Sequence, residues 1–288
     1  MVVLRNIFYS LIIVWFSAGA VFSQEGSLLW EISGNGIEKP SYLFGTMHVK
    51  DKRAFFFGDS LLNKLDKCDA MAGEIVADLD VIKKDIGMIL MPDSVNLKSL
   101  LDKDDYKTVQ KYARKNLGVY ALMINKIKPI FTSALVTEKM MEQDVGETID
   151  EYLQRQAKKR DKEVFGLESI SDQLEVLNLY SLEEQAEMLV DMVVNIDKYQ
   201  EATLKMLHTY IAQDLEGLLV AVKDSDIGDE FSYALLEERN KKMVKRIQEL
   251  LHEKPVFYAV GAGHLPGEEG ILELLRKEGY TLKPLPVK

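Results

Sequence analysis

Residues 255–264 have the sequence PVFYAVGAGH, and this stretch decides the fold. A proline opens a continuous apolar run, which ends at Gly261-Ala262-Gly263 and is followed by His264. A short apolar run bounded by Pro and Gly is typical of a strand buried on both faces. The run therefore predicts a central strand of an α/β protein.

Shorter apolar stretches predict the other strands, because each is bounded by turn residues. The predicted strands are Ser27 to Ser33, Ser41 to Phe44, Ala70 to Val76, Glu163 to Leu167, and Tyr280 to Lys283. The first two are separated by Gly34-Asn35-Gly36 and Pro40, which predicts a hairpin. Pro284 is expected to end the last strand, which we place at an edge of the sheet.

Most of the remaining chain carries apolar residues at helical spacing with charged outer faces. The predicted helices are Asp59 to Lys67, Lys103 to Asn116, Gly146 to Lys159, Leu182 to Thr209, Asp229 to His252, and Glu268 to Glu278. Loops are predicted at Pro92-Asp93 and Asp224 to Gly228. No Pro- or Ser-rich linker interrupts the sequence, so residues 24–288 are expected to form one α/β domain with a large helical insertion between strands.

Residues 1–23 differ in character from the rest of the chain. Arg5 precedes an almost wholly apolar run from Ile7 to Phe22, and Ser23 places a small residue before Gln24. This layout predicts a cleavable signal peptide and a periplasmic or secreted protein, with no stable membrane insertion after cleavage. The alternative is an uncleaved anchor, since the run of roughly 16 residues is only slightly shorter than the ~20 that span a bilayer.

The composition of the chain excludes several classes of protein. Its 288 residues are 47% hydrophobic and 28% charged, which indicates a globular protein. The formal net charge of −10 argues against nucleic acid or an acidic membrane as a partner. Cys68 is the only cysteine, so no intramolecular disulfide forms, and we expect it to be a small core residue.

The unit Gly-x-x-His occurs twice, each time directly after a predicted strand. Gly45 begins the unit that ends at His48, and Gly261 begins the unit that ends at His264. In open α/β sheets, ligands bind outside the carboxyl ends of the strands, where glycine lets the backbone approach closely. Two histidines placed there are expected to face one crevice, although a single histidine at a strand end is more often a structural residue.

Two carboxylates occupy comparable positions at strand ends, Glu74 and Glu168. A carboxylate in an apolar strand is costly to bury unless it is paired, hydrogen-bonded or bound to a metal. Two neutral imidazoles with one or two carboxylates suit Zn²⁺, Mn²⁺ or Co²⁺. The predicted metal ligands are therefore His48, His264 and Glu74, and metal-assisted hydrolysis is the chemistry that such a set favours.

Five short stretches together resemble the TraB/GumN family, which is similar to the Tiki group of metal-dependent peptidases. They are YLFGTMH at 42–48, AGEI around Glu74, GLES at 166–169 with Gln173, ERN at 238–240, and VGAGH at 260–264. The resemblance implies an α/β fold of the erythromycin-esterase/ChaN-like type with a central mixed sheet. It also implies two related halves, each contributing one Gly-x-x-His unit to a shared cleft.

The resemblance further implies functional roles for residues that composition alone would not single out. It assigns His48, His264 and Glu74 to a metal or catalytic site and adds Glu168, Arg239 and Asn240 as cleft residues. An arginine there would stabilise a developing oxyanion, and an asparagine would orient the substrate or a metal-bound water. Without the resemblance, residues 237–242 are an ordinary solvated helix face.

The leading functional prediction is an exported metallohydrolase, in the first place a peptidase, acting on a peptide or small-molecule substrate. One alternative is a hydrolase that needs no metal and uses a histidine as general base, as a distant similarity to erythromycin esterases suggests. A second alternative is a non-enzymatic protein that binds haem or another small molecule, with Met47 beside His48 as a soft ligand.

Overall fold

The computed structural model of this chain describes residues 26–76, 87–176, 179–223 and 233–288. The signal peptide predicted at 1–23 and the loop predicted at Asp224 to Gly228 lie outside these ranges. Within them, no helix is both long enough and apolar enough to cross a bilayer.

The strands of the described residues form one mixed sheet. They are β1 (Leu29–Gly34), β2 (Ser41–Thr46), β3 (Ala70–Gly73), β4 (Glu163–Gly166), β5 (Val256–Gly261) and β6 (Tyr280–Leu285). Their order across the sheet is β4-β3-β5-β2-β1-β6. The four strands β4, β3, β5 and β2 are parallel, and β1 is antiparallel to both β2 and β6. The mixed α/β fold predicted from the sequence is thus confirmed, with β5 between two parallel neighbours.

The predicted hairpin is formed by β1 and β2. Gly34, Asn35 and Gly36 all have positive φ angles, of 82°, 45° and 79°, which is the backbone conformation that Gly and Asn tolerate best. The prediction that Pro284 ends the last strand is wrong, because β6 continues to Leu285 and Pro284 pairs with Trp30. A proline is tolerated there because β6 is an edge strand.

Helices cover much of the sequence between the strands. They are α1 (Asp59–Asp66), α2 (Leu97–Leu100), α3 (Lys103–Asn116), α4 (Pro129–Lys139), α5 (Ile149–Lys158), α6 (Ile170–Val176), α7 (Leu182–Val194), α8 (Ile196–Ile211), α9 (Leu215–Lys223), α10 (Arg239–Leu251) and α11 (Ile271–Lys277). Short 3₁₀ segments lie at Lys52–Ala54, Gly118–Leu122 and Ala262–His264, and a π-helical turn at Tyr233–Glu238 precedes α10.

Two predicted helices differ from the structure. The stretch Leu182 to Thr209 is divided into α7 and α8 at Asn195, whose backbone is not helical (φ −104°, ψ 33°) and whose side chain donates to Asp191. Such local bonding of Asn competes with the helix. The helix predicted from Asp229 takes regular α-helical form only at Arg239, after the π-helical turn, and residues 229–232 lie outside the described ranges.

The buried apolar residues form two clusters. The larger surrounds the sheet and includes β5 and the inner faces of α5, α10 and α11. The smaller lies among α2, α3, α4 and α7 and centres on residues such as Leu97 and Leu189. Cys68 is buried in the larger cluster, and burial raises the pKa of its thiol to about 12, so its expected place in the core is confirmed.

Candidate functional site

The carboxyl ends of the parallel strands meet at one edge of the sheet. The register places Thr46 opposite Gly261, and Gly73 opposite both Ala259 and Gly166. The chain that leaves each of these strands therefore enters the same region, as expected for ligand sites in α/β sheets. A cavity of about 410 Å³ opens there, and its lining includes residues from five separate segments of the chain.

Glu74 follows β3 directly, and its carboxylate accepts hydrogen bonds from three different residues. Its Oε1 accepts from the Gly261 backbone N–H at 2.6 Å, and its Oε2 accepts from Arg239 at 2.7 Å and from Gln173 at 3.0 Å. Burial opposes ionisation of Glu74, but the neighbouring His264, Arg239 and Gly261 N–H outweigh it and bring its pKa below the ordinary value. The carboxylate is thus held ionised at the floor of the cavity.

Glu168 and Arg239 form a buried ion pair behind Glu74. The Glu168 side chain is 1% exposed and that of Arg239 is 9% exposed. The Arg239 Nε lies 3.0 and 3.1 Å from the two Glu168 oxygens, and its Nη2 lies 2.7 Å from Oε2 of both Glu168 and Glu74. One guanidinium therefore bridges two carboxylates and offsets one of their two negative charges, which lowers the cost of burying them.

His264 is buried and its ring is fixed by Asn240. The Asn240 amide nitrogen donates to the Glu269 carbonyl at 2.8 Å, so its oxygen is the atom that faces His264 Nδ1 at 2.7 Å. An oxygen there can only accept, which assigns the ring proton to Nδ1 and the lone pair to Nε2. Burial lowers the pKa of His264 to about 4, so the ring is neutral at neutral pH.

The unprotonated Nε2 of His264 lies close to Glu74. Its Nε2 lies 3.7 Å from Glu74 Oε1. Two donor atoms that each lie ~2.1 Å from one metal ion are separated by ~3.4 Å across a tetrahedral angle. The spacing of this pair therefore fits two ligands of a single divalent ion, and Asn240 is the outer partner that such a histidine requires.

His48 lies at the exposed side of the same cavity. Its side chain is 80% exposed, and its Nδ1 lies 3.4 Å from Asp150 Oδ2. Asp150 Oδ1 accepts from Thr46 Oγ1 at 2.8 Å, while the buried Oδ2 has no hydrogen bond of acceptable geometry. Pairing with Asp150 raises the pKa of His48. Asp150 is therefore the charged partner of His48 at this side of the cavity.

The structure brings Glu74, Glu168, Arg239, Asn240 and His264 into one bonded group. His48 lines the cavity but does not contact that group directly. Within the described ranges, no set of three or more His, Cys, Asp or Glu side chains is grouped so that it could hold a metal ion. Arg239 and Asn240 contact the carboxylates and His264 respectively and are absent from the cavity lining. The predicted oxyanion and substrate-orienting roles of these two residues stay predictions.

Asp150 is the site residue that sequence reasoning missed. It stands among several acids, including Glu147 and Glu151, and nothing in its spacing distinguishes it from a solvated helix face. Its place depends on packing, because α5 lies against β3 and Gln154 donates to the Ile75 carbonyl at 2.9 Å. This contact holds α5 so that its first turn, which carries Asp150, faces the cavity.

Residues 28–284 match the model of the TraB/PrgY/gumN family. The chain belongs to this family. The metalloprotease TIKI2 of Danio rerio is 24% identical to the chain over 90% of the chain and 61% of its own length. The metalloprotease TIKI1 of Homo sapiens is 23% identical over 92% of the chain and 63% of its own length.

The chain spans somewhat less than two thirds of the length of these metalloproteases. An uncharacterized protein of Treponema pallidum is 21% identical over 90% of the chain and 82% of its own length. No solved structure matches the chain. The family assignment made from the five short motifs is thus confirmed, whereas the erythromycin-esterase/ChaN-like assignment and the two related halves stay predictions.

Proposed function

We propose that this chain is an exported metal-dependent hydrolase whose substrates are peptides. The observation that carries the proposal is the pair formed by the neutral His264 Nε2 and the ionised Glu74 Oε1, which lie 3.7 Å apart. Two acceptors facing each other are mutually repulsive unless a proton or a cation lies between them. The similarity to the metalloproteases TIKI1 and TIKI2 supports peptide hydrolysis as the reaction.

The donor set of this site suits Zn²⁺, Mn²⁺ or Co²⁺, since it consists of imidazole nitrogen and carboxylate oxygen. A divalent ion supplies a hydrolase with an acidified water and a polarised substrate carbonyl. We assign Glu74 and His264 as the inner ligands. His48 is the third donor, because it lines the same cavity as Glu74 and its exposed side chain changes rotamer readily.

The surrounding residues keep these donors in place. Arg239 binds both Glu74 and Glu168, and it thereby fixes the Glu74 carboxylate and offsets one of the two negative charges. Asn240 holds the His264 ring in the tautomer whose Nε2 is unprotonated. Outer partners of this kind contribute roughly 10–100-fold to metal affinity or activity.

The charge of the cavity favours peptides over anionic substrates. Glu74, Asp150 and Glu151 all line it, together with the neutral Gln154 and Gln173. Phosphate and sulfate esters would be repelled by these carboxylates, whereas a neutral amide backbone would not. The glutamine amides supply donors and acceptors that match the peptide group.

Peptide cleavage by protein purified without chelator tests this proposal. Mass spectrometry of a blocked peptide library is expected to show cleavage that a chelator abolishes and that added Zn²⁺, Mn²⁺ or Co²⁺ restores. His264→Ala is expected to lack activity with every metal, while His252→Ala, which alters an exposed histidine paired with Tyr280, keeps it.

Two outcomes would overturn the proposal in different ways. Full activity after exhaustive chelation would establish hydrolysis with a histidine as general base instead. Absence of any cleavage, together with a Soret band when haem is added, would establish a haem-binding protein.

A further inference from the structure

One segment of this acidic protein has the opposite charge. Residues 106–137 contain six basic side chains and no acidic one, although the whole chain carries a net charge of −10. The segment covers α3 after its acidic first turn, the 3₁₀ turn Gly118–Leu122 and most of α4. Net charge alone therefore misrepresents how this part of the surface interacts with charged partners.

The 3₁₀ turn carries an uncovered group of apolar side chains. Leu122 is 84% exposed and Val119 is 75% exposed, and Tyr120 and Met123 are each close to half exposed. Single exposed apolar residues are common, but four within five consecutive residues form a continuous patch. Such a patch indicates a surface that binds another protein or a membrane.

Exposed bases surround this patch. Lys111, Arg114 and Lys115 lie on α3 just before it, and Lys126 follows it. None of the four forms an ion pair with any residue in the described ranges. We refer to these four bases and the side chains of Val119, Tyr120, Leu122 and Met123 as the basic tip.

A groove with a volume of about 560 Å³ adjoins the basic tip. Lys111, Lys115 and Lys139 line it, and Asp197 is the single acid in its lining among the described residues. Asn116 adds an amide at the end nearest the turn. The groove has the size and charge to hold an anionic headgroup beside the apolar patch.

We propose that the basic tip docks onto the surface of an anionic phospholipid bilayer. Its apolar side chains enter the boundary between headgroups and acyl chains, and its bases stay among the phosphates, as in proteins that lie on a membrane without crossing it. Tyr120 is suited to this boundary because its ring is apolar and its hydroxyl is polar.

A second copy of the chain is a poorer occupant. In a symmetric dimer the same surface of both copies meets, so the bases of one tip would face those of the other. Like charges brought together at an interface are costly. An anionic layer instead meets all of the bases at once.

Binding of the full chain to vesicles tests the proposal. Vesicles of phosphatidylglycerol and phosphatidylcholine in equal parts are compared with vesicles of phosphatidylcholine alone, and the bound fraction is measured by cosedimentation. We expect the parent to bind the anionic vesicles at least about 10-fold more tightly and to be released by salt. Residues 1–23 are the same in every variant, so differences between variants report the basic tip alone.

Two variants separate the charged and apolar contributions. Both the triple variant Lys111→Glu/Arg114→Glu/Lys115→Glu and the double variant Val119→Ser/Leu122→Ser are expected to lose this preference. Two matched controls should keep it: Lys67→Glu/Lys245→Glu alters exposed bases elsewhere, and Val220→Ser alters an exposed valine on α9.

Four results would overturn the proposal. Equal binding of the parent to neutral and anionic vesicles would do so, and so would full binding by both tip variants. The third is a dimer in sedimentation equilibrium that Val119→Ser/Leu122→Ser dissociates, which would assign the patch to a second copy. The fourth is that the parent binds an acidic peptide as tightly as it binds anionic vesicles, and that a change at Leu122 does not weaken peptide binding. This result would assign the bases to a protein partner and would exclude the bilayer.

Discussion

Two arginines on α10 show how burial decides the value of an ion pair. Arg239 is 9% exposed and bridges two carboxylates, whereas Arg246 is 40% exposed and pairs with Glu249 one turn along the helix. Removing one partner of a buried pair strands the other charge in a region of low polarity. Removing one partner of an exposed pair leaves it solvated.

Arg239→Ala is therefore expected to lower the free energy of unfolding by about 3 kcal/mol, because Glu74 and Glu168 lose their shared counterion. The matched change Arg246→Ala on the same helix is expected to cost less than about 1 kcal/mol. Urea unfolding of both variants measures the difference. Equal costs would mean that the guanidinium of Arg239 is solvated in solution.

The neutral state of His264 predicts a dependence of stability on pH. The unfolded chain takes up a proton on this residue near its ordinary pKa of ~6.5, but the folded chain does so only near a pKa of about 4. Between these values the unfolded state binds more protons, so stability falls as the pH falls. This contribution is fully present above the unfolded pKa.

Unfolding in chelator at several pH values checks this expectation. The free energy of unfolding of the parent should fall more steeply between pH ~6.5 and ~4 than that of His264→Gln, by up to about 3 kcal/mol over the whole window. Parallel pH profiles for the two proteins would show that His264 is protonated, or solvated, in the folded state.

At the scale of elements, the N-terminus of α5 positions Asp150. Thr148 caps this helix in a reciprocal arrangement with Glu151, and Asp150 is the second helical residue. The same capping box occurs at Ser181 and Glu184 at the start of α7. No residue of α7 lines the cavity, so the cap of α7 serves as a control for the cap of α5.

Thr148→Ala and Ser181→Ala are each expected to lower the free energy of unfolding by about 1 kcal/mol, because each removes one capping bond. Only Thr148→Ala should also weaken peptide cleavage, since fraying of α5 displaces Asp150 from His48. Urea unfolding and cleavage rates of both variants are the measurements. Equal losses of activity would show that global stability, and not the place of Asp150, limits the reaction.

The same elements show what the sequence could predict. The apolar run of β5 and the Gly-Asn-Gly turn predicted the central strand and the hairpin because both depend on local chemistry. The division of α7 from α8 at Asn195 has no Gly or Pro to mark it. The continuation of β6 through Pro284 depends on which strand lies at the sheet edge, which is a tertiary property.

For the site, the two Gly-x-x-His units predicted that both histidines face one crevice. The structure places His48 in the cavity lining and His264 beside Glu74, and a site shared by the two histidines stays a prediction. The family resemblance was needed to single out Glu168, Arg239 and Asn240, whose sequence context is that of a solvated surface. Asp150 carried no signal at all, because its role follows from the way α5 packs on β3 and the segment after it.

At the scale of the molecule, the two proposed sites lie in different regions. Its carboxyl edge gathers groups from widely separated parts of the chain, such as Glu74, Asp150 and His264, around one cavity and its floor. The helices α2, α3, α4 and α7 have a separate apolar cluster, and this part of the molecule carries the basic tip. The proposed hydrolytic site and the proposed membrane-docking surface therefore lie in different regions of the molecule.

The central claim is that Glu74 and His264 hold one divalent ion, and equilibrium zinc affinity tests it most directly. Competition with a chromophoric chelator should give one zinc per chain for the parent and for the control His252→Ala. Glu74→Gln and His264→Ala should each weaken binding by at least about 100-fold, more than the loss of an outer partner. Zinc binding by His264→Ala as tight as that of the parent would contradict the claim.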